Sequence, residues 1–355
     1  MASGTGGQIA LTRSDSLYLS VQSVDQWSNF VSESIEHTLS ELEEGSITGN
    51  KDAPPSHKGI DFGQGDIVLE PDPNALGHFM RGVFGQSSGS ILCEAGSLGV
   101  NSSTLGNGRP TISHQFLPIQ TAVDDRNFLP PYTAMVFKDV GSAFFFQGCQ
   151  FHGIEYQIQA GQLVTATVNV MARKVERYAR TAGILALAKV SGSKPWVWDM
   201  ASVQISSGQT GFANLLGDTN FEALTLGLSI PLEGVVLLDG NKNYAEFQVN
   251  EFRRLNVSGT VSFRDQVSYD AFVAYENRSL RITTRNVGSQ QLLGNPSSLF
   301  YPTLQIDVPQ FKFLSWSTPI GGPNRLQSSF TGKAERDSSS AYMVEATLIN
   351  VTSTY

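Results

Sequence analysis

The stretch Phe252–Asn277, FRRLNVSGTVSFRDQVSYDAFVAYEN, decides how the fold is read. Val257, Gly259, Val261 and Phe263 recur with a period of two, which marks extended chain. The stretch reads as a strand, a sharp turn near Ser258-Gly259, a second strand and a short helix. Tyr269, Phe272 and Val273 fall at i, i+3 and i+4, one face of that helix. The same grammar occurs earlier, in GIDFGQGDIVLEPDPNALGHFMRGV, Gly59–Val83. Gly65 matches Gly259, Ile67 matches Val261 and Leu69 matches Phe263. Leu76, Phe79 and Met80 then match Tyr269, Phe272 and Val273 across a one-residue gap. A pattern that recurs within one chain points to a duplicated unit.

Working outward from the two cassettes, the chain divides into similar halves. Residues 1–17 read as a flexible arm, Tyr18–Val24 as a strand, and Trp27–Leu39 as containing a second. Glu41–Gly59 reads as a long loop, of the kind that carries function in compact domains. The first cassette helix is expected to start with Asp72 as N-cap and Pro73 at the first helical position. Residues 85–110 read as a polar connection. Strands follow at Ser113–Ile119, Tyr132–Val136 and Ser142–Phe146, then a hairpin of Cys149–Gln159 and Gln162–Ala172 turning at Ala160-Gly161.

The basic run Arg173–Arg180 marks the junction, giving expected domains at 18–178 and 179–355. In the second half, strands are expected at Ser202–Ser206, Ala223–Ile230 and Leu280–Thr284. Asp239–Tyr244 corresponds to the first long loop, and Gly294–Ser298 is another loop. Leu304–Phe313, Arg325–Lys333 and Tyr342–Val351 echo the first-half hairpin and end the chain.

Composition agrees with a β-rich chain. Of 355 residues, 34 are Gly and 21 Phe, and only 16% are charged. No apolar run reaches the roughly 18 residues that a membrane span needs. The first residues lack a basic-then-apolar signal, so secretion by that route is not expected. Cys93 and Cys149 form no secreted disulfide framework; two free thiols in a reducing cytoplasm are expected. The sequons at Asn101, Asn256, Asn277 and Asn350 carry little weight in so Asn/Ser/Thr-rich a chain. Net charge is −8, and all of it lies in residues 1–178, which hold 10 Lys and Arg against 18 Asp and Glu. Such a chain does not bind nucleic-acid phosphates through its bulk field.

No catalytic pattern emerges. His37, His57, His78, His114 and His152 make no metal-ligand spacing, and neither cysteine has a partner at zinc-site spacing. Phosphate-binding loops, dinucleotide fingerprints and G-x-S-x-G elbows are absent. The cluster Glu41, Glu43 and Glu44 lacks a calcium-loop pattern and reads as a solvated surface or a charged channel wall. Asp124-Asp125 reads as loop carboxylates. The chain is not expected to be an enzyme, nor to need a cofactor or metal.

The order of these features resembles the tail tube (major tail) proteins of tailed bacteriophages, in a two-domain kind. The likeness rests on residues 63–85 (GQGDIVLEPDPNALGHFMRGVFG), on Gln147–Thr167, on KPWVWD with the strand at Val203–Ser206, and on LNVSGTVSF at 255–263. It implies a mainly β fold of two tandem tail-tube-like β-sandwich domains, each flanked by a short α-helix. It further implies subunits that form rings, here trimeric with pseudo-sixfold symmetry, stacked into a hollow conduit for DNA ejection. The implied partners are the chain itself and the terminator, tape measure and distal tail proteins. Double-stranded DNA passes through without specific binding, and no membrane is engaged. The implied location is the virion tail, after synthesis in the bacterial host cytoplasm.

On this reading Glu36, Glu41, Glu43 and Glu44 are candidates for the lumen. Gly49, Asn50, Lys51, Asp52, Pro54 and Pro55, with Asp239, Asn241 and Lys242, are candidates for inter-ring loops. The competing readings are the tube of a contractile tail or related injection device, and a carbohydrate-binding adhesin using Trp196, Trp198 and Trp316.

Overall fold

Alternation becomes sheet. Thr165–Ala172 (TATVNVMA) buries every second residue, and so do Phe221–Ser229 and Gln327–Ala334 over most of their length. The computed structural model describes residues 7–13, 26–45, 51–52, 54–93, 111–118, 129–138, 141–178, 188–189, 194–206, 212, 215–217, 220–264, 266–286, 292–295, 298–320 and 325–351.

The first half holds strands β1 (Gly7–Arg13), β2 (Gln26–Ser28), β3 (Ser32–Glu33), β4 (Glu36–Glu43) and β5 (Ser56–Leu69), then helix α1 (Leu76–Phe84). After the helix come β6 (Gly85–Cys93), β7 (Thr111–Pro118), β8 (Tyr132–Lys138), β9 (Ala143–Gln159), β10 (Thr165–Ala172) and β11 (Lys174–Tyr178). The second half holds β12 (Ala188–Lys189), β13 (Ala201–Ser206), β14 (Leu215–Gly217), β15 (Phe221–Ser229), β16 (Leu232–Val235), β17 (Glu246–Val249) and β18 (Arg254–Ser262). Helix α2 (Val267–Val273) follows, then β19 (Arg278–Arg285), β20 (Leu292–Asn295), β21 (Ser298–Phe300), β22 (Thr303–Ser317), β23 (Gln327–Ala334) and β24 (Glu345–Asn350).

One order of pairing occurs in each half. In the first, β4 pairs β5, β5 pairs β10, and β10 pairs the C-terminal part of β9. In the second, β15 pairs β18, β18 pairs β23, and β23 pairs the C-terminal part of β22. The N-terminal parts of β9 and β22 leave for a flanking sheet. There β9 lies between β8 and β11, and β22 lies between β19 and β24. The outer strands agree too, β1 beside β8 and β13 beside β19. Gly148, at φ +59, sits where β9 crosses between sheets, a conformation that a side chain would strain.

Three ladders tie the halves together among the described residues, the shortest being β12 parallel to β2. β9 pairs β15 from Gly153 opposite Ser229 to Gln159 opposite Ala223, and β7 pairs β24. Tyr156 and Thr284 share a buried hydrogen bond of 2.9 Å, and Asn350 donates to the Pro73 carbonyl at 2.7 Å. Apolar residues of both halves form one continuous core.

Helix α1 covers that core. Leu76, Phe79, Met80, Val83 and Phe84 are buried, with Phe79 5.5 Å from the Phe151 ring. A Cβ on Gly82 would stand 2.2 Å from Phe151, so only glycine lets helix and strand approach this closely. Gly85, at φ +85, ends the helix with its N–H on the Arg81 carbonyl.

Several expectations are corrected. Of the arm at 1–17, residues 7–13 form β1 and bury Ile9, Ala10 and Leu11; the strand at Tyr18–Val24 lies outside the described residues. The strand within Trp27–Leu39 is three short ones, because the chain kinks to insert Ile35 into the core, where its N–H meets Glu33 Oε2 at 3.0 Å. The loop at Glu41–Gly59 is shorter at both ends: β4 extends to Glu43 and β5 begins at Ser56. Its charge reflects two strands exposed on both faces, with backbone groups paired across the ladder. Gly85–Cys93, read as connection, is β6, and Leu292–Asn295 with Ser298–Phe300 is a short hairpin.

Ser142–Phe146 and Cys149–Gln159 are one strand. Gly259 is no turn; β18 runs through it, and a Cβ there would meet the Ala223 carbonyl at 2.6 Å and the Phe330 ring at 2.9 Å. Helix α1 begins at Leu76, later than expected. Asp72 instead closes the preceding turn, its Oδ1 accepting the Asn74 N–H at 2.8 Å. In α2 the matched face is not covered: Tyr269 and Val273 are exposed, and only Ala271 is buried.

Candidate functional site

The sheet β4–β5–β10–β9–β15–β18–β23–β22 has two unlike faces. Inward, Ile67, Val168, Ile154, Leu226, Leu228 and Val257 are buried. Each such side chain contributes roughly 1.5–3 kcal/mol. The opposite face consists of the alternate residues, and these are mostly polar, with Val68 and Met171 among them. Gln64 and Asp66 stand on β5, Thr167 and Asn169 on β10, Glu155 and Gln157 on β9. Thr225 and Ser229 continue the row on β15, Asn256 and Ser258 on β18, and Ser329 and Thr331 on β23. The face therefore crosses both halves without a break.

Its short side chains bond laterally: Asn169 donates to Asp66 Oδ1 at 2.6 Å, Gln157 donates to Glu155, and Ser315 bonds Thr331 at 2.6 Å. The charges on it are unequal in freedom. Lys58, Arg254, Lys312 and Lys333 are engaged in ion pairs with Asp61, Glu251 and, for both of the last two, Glu335. Among the described residues Glu36, Asp66 and Glu155 form no ion pair. A polyanion near this face meets uncompensated carboxylates and few free cations.

The four acidic candidates are only partly brought together. Glu36, Glu41 and Glu43 stand opposite Gln64, Lys58 and Ser56, on the polar side of the hairpin, and Ser56 Oγ donates to Glu41. Glu44 lies past the strand, 3.2 Å from His57. On the other side of this hairpin Leu39 and Leu42 are exposed. Asp61 lies between Lys58 and His37, each at 2.5 Å. Burial alone would raise its carboxyl, yet these two partners hold it below the ordinary carboxylate range.

Of the loop candidates, Gly49 and Asn50 lie outside the described residues. Lys51, Asp52, Pro54 and Pro55 occupy the hairpin tip, where the Glu44 N–H reaches the Pro55 carbonyl at 3.4 Å. Asp239 accepts the Asn241 N–H at 2.9 Å, and both remain exposed. Lys242 does not project. Its Nζ donates to the Lys58 carbonyl at 2.9 Å, and its own carbonyl accepts the Asp61 N–H at 2.7 Å. Asn243 donates to the Asp61 carbonyl at 2.8 Å, and the Tyr244 ring lies 5.1 Å from Phe62. The second-half loop is thus laid on β5, beside the base of the first.

Nothing in the described residues assembles for catalysis. No group of three or more His, Cys, Asp and Glu could hold a metal ion there. Cys149 is buried, donates to the Phe146 carbonyl, and has its thiol pushed up to about 12 by burial. The side chain of Cys93 and the pair Asp124-Asp125 lie outside the described residues. Trp196 is fully buried, and Trp316 stacks on Phe330 at 5.8 Å, which leaves only Trp198 of the three half exposed. They form no aromatic platform for a sugar. No described helix is long and apolar enough to cross a membrane.

The sequence reading missed the cross-half sheet. Only its polar face was signalled, in Thr165, Thr167 and Asn169 and in Thr225, Gly227 and Ser229, as rows alternating with buried ones.

Comparison with known proteins places this geometry. No curated protein matches the sequence. Among solved structures, one titled "Crystal structure of Hcp protein" is similar over 41% of this chain and 96% of its own, with 11% identity and a TM-score of 0.22. So low a score carries no argument. The family model described as phage tail tube protein matches residues 5–347. The chain therefore belongs to the phage tail tube protein family, and is a structural component of the virion tail.

Proposed function

We propose that the chain is a ring-forming subunit whose rings stack into a hollow tube, and that DNA leaves the virion through it. The observation that carries this reading is the sheet spanning both halves, apolar and buried on one face, polar with unpaired carboxylates on the other. Such a sheet, continued around a ring, encloses a lumen that repels phosphates and lets DNA slide. Glu36, Asp66 and Glu155 then line the channel, with Glu41 and Glu43 toward one rim. Residues 18–178 and 179–355 act as two similar units, with β1 added to the first. Three chains complete a ring of pseudo-sixfold symmetry. The matching pairing orders of the halves support this. The tip at Lys51–Pro55 and the exposed Asp239 and Asn241 meet the adjacent ring. Terminator, tape measure and distal tail proteins contact the tube ends, and the subunit is made in the host cytoplasm.

Purified protein viewed by negative-stain electron microscopy tests the reading. Rings or hollow tubes are expected. Protein that stays monomeric across concentration and salt would refute it.

A further inference from the structure

The two halves share one strand order, and that order leaves one joint open. Within the chain, the joint between halves is the β9–β15 ladder. Its counterpart would join β22 to β4, and among the described residues no strand covers either edge there. We propose that β4 of one copy pairs antiparallel with the end of β22 of a second copy, in the register that β15 and β9 already use. The proposal rests on the ring-forming reading and specifies its subunit joint.

The register can be followed residue by residue from the matched glycines. Next to Gly65, Gln64 stands opposite Glu36; next to Gly259, Ser258 stands opposite Thr225. Going on, Gly63 faces His37 where Val257 faces Leu226, and Asp61 faces Leu39 where Leu255 faces Leu228. Thus β4 holds the place of β15. On the other side, Gly65 pairs Val170 and Gly259 pairs Phe330. The neighbouring residues Asn169 and Ser329 then pair Gly153 and Ser317. Thr318 and Ile320 therefore follow at the places of Ile154 and Tyr156.

Burial marks the difference between a closed joint and an open one. At the closed joint Leu228 is 4% exposed and Tyr156 3%. At the open one Leu39 is 53% exposed and Ile320 80%. Two large apolar side chains are bare at the places where their counterparts are covered, which is what a missing neighbour produces.

The backbone agrees. Ala160 donates to the Glu222 carbonyl and Ile230 to the His152 carbonyl, so even-numbered residues of both strands face across the closed joint. Ser34 donates to the Asp66 carbonyl, so His37 and Leu39 turn their N–H groups away from β5, free for a partner strand. Pro319 holds the place of Glu155, which faces β10 and not the joint. Its missing N–H costs the proposed ladder nothing.

A paired-cysteine experiment tests the register. Thr38→Cys and Pro319→Cys occupy the places of Gly227 and Glu155, a non-hydrogen-bonded pair whose Cα atoms stand about 4.5 Å apart, within disulfide reach. Ser40 is avoided because the β4–β5 register shifts there. The background carries Cys93→Ser, and Thr225→Cys with Gln157→Cys serves as an intrachain control. Mild oxidation should give covalent multimers from Thr38→Cys with Pro319→Cys, and several-fold less from Thr38→Cys with Ser315→Cys. Rings that form without the cross-link, while the control closes, overturn the joint and leave the tube reading standing. Protein that never forms rings overturns both. Leu39→Asp, exposed in the subunit, should fold and remain monomeric; its assembly at the wild-type level would also overturn the joint.

Discussion

Strands β4 and β15 hold the same place in the two halves, yet one edge is bare and the other covered. β15 lies between β18 and β9, and its Leu224, Leu226 and Leu228 are buried. Among the described residues β4 has β5 on one side only, and Leu39 and Leu42 are exposed. At the matched places of Leu39 and Leu228 the residue is the same. What differs is the presence of a neighbour, so burial here is a property of the assembly position. An exposed leucine on an edge strand is then read as half of an interface, and the intrachain ladder shows what the other half looks like.

The largest effect should come from truncating the two leucines. Leu228→Ala should destabilise the subunit by about 2–5 kcal/mol in chemical denaturation, and Leu39→Ala by less than about 0.5 kcal/mol. The order should invert for assembly: Leu39→Ala raises the concentration at which tubes form. Equal losses of subunit stability would break the comparison. A similar contrast applies to the helices. Phe79→Ala removes a ring packed on Phe151 and should cost about 3–5 kcal/mol. Phe272→Ala, on a helix with only Ala271 buried, should cost about 1 kcal/mol.

Charge comes next. Glu36→Lys with Glu155→Lys should leave rings intact but slow DNA passage, most clearly at low salt, where screening is weakest. Unchanged ejection kinetics would remove both residues from the lumen. The smallest effect concerns pH. The Asp61 carboxyl is held below its ordinary value, so its contribution to the β4–β5 hairpin is present above the unfolded value, near about 4, and is lost as pH falls below it. The Thr38 amide, which faces β5, should therefore lose protection between about pH 6 and pH 3 beyond the change in intrinsic exchange. Asp61→Asn should abolish that pH dependence.

The cassettes were legible because their signals are local. Period two marks β5 and β18, and a full apolar face with a following glycine marks α1. The second helix misled because an apolar stripe states what could be buried, not whether a partner covers it; Tyr269 and Val273 are apolar and exposed. The cross-half ladder was illegible for a related reason. Alternation in Leu224–Leu228 requires a covered face but carries no address for the strand alongside. Polar composition misled at Glu41–Gly59, where two solvated strands look like a loop. Of the acidic candidates, Glu41 and Glu43 share a face by alternation, but Glu36 joins them only because the register shifts between Leu39 and Glu41, and Asp66 and Glu155 only through pairings across the sheet.

The central claim is that β4 of one chain gains, on assembly, the cover that β15 already has within the chain. Hydrogen exchange on free subunits and on assembled tubes measures it directly. The His37 and Leu39 amides should exchange quickly in the subunit and become protected in the tube, while the Leu226 and Leu228 amides are protected in both. Unchanged exchange at His37 and Leu39 on tube formation would contradict the account.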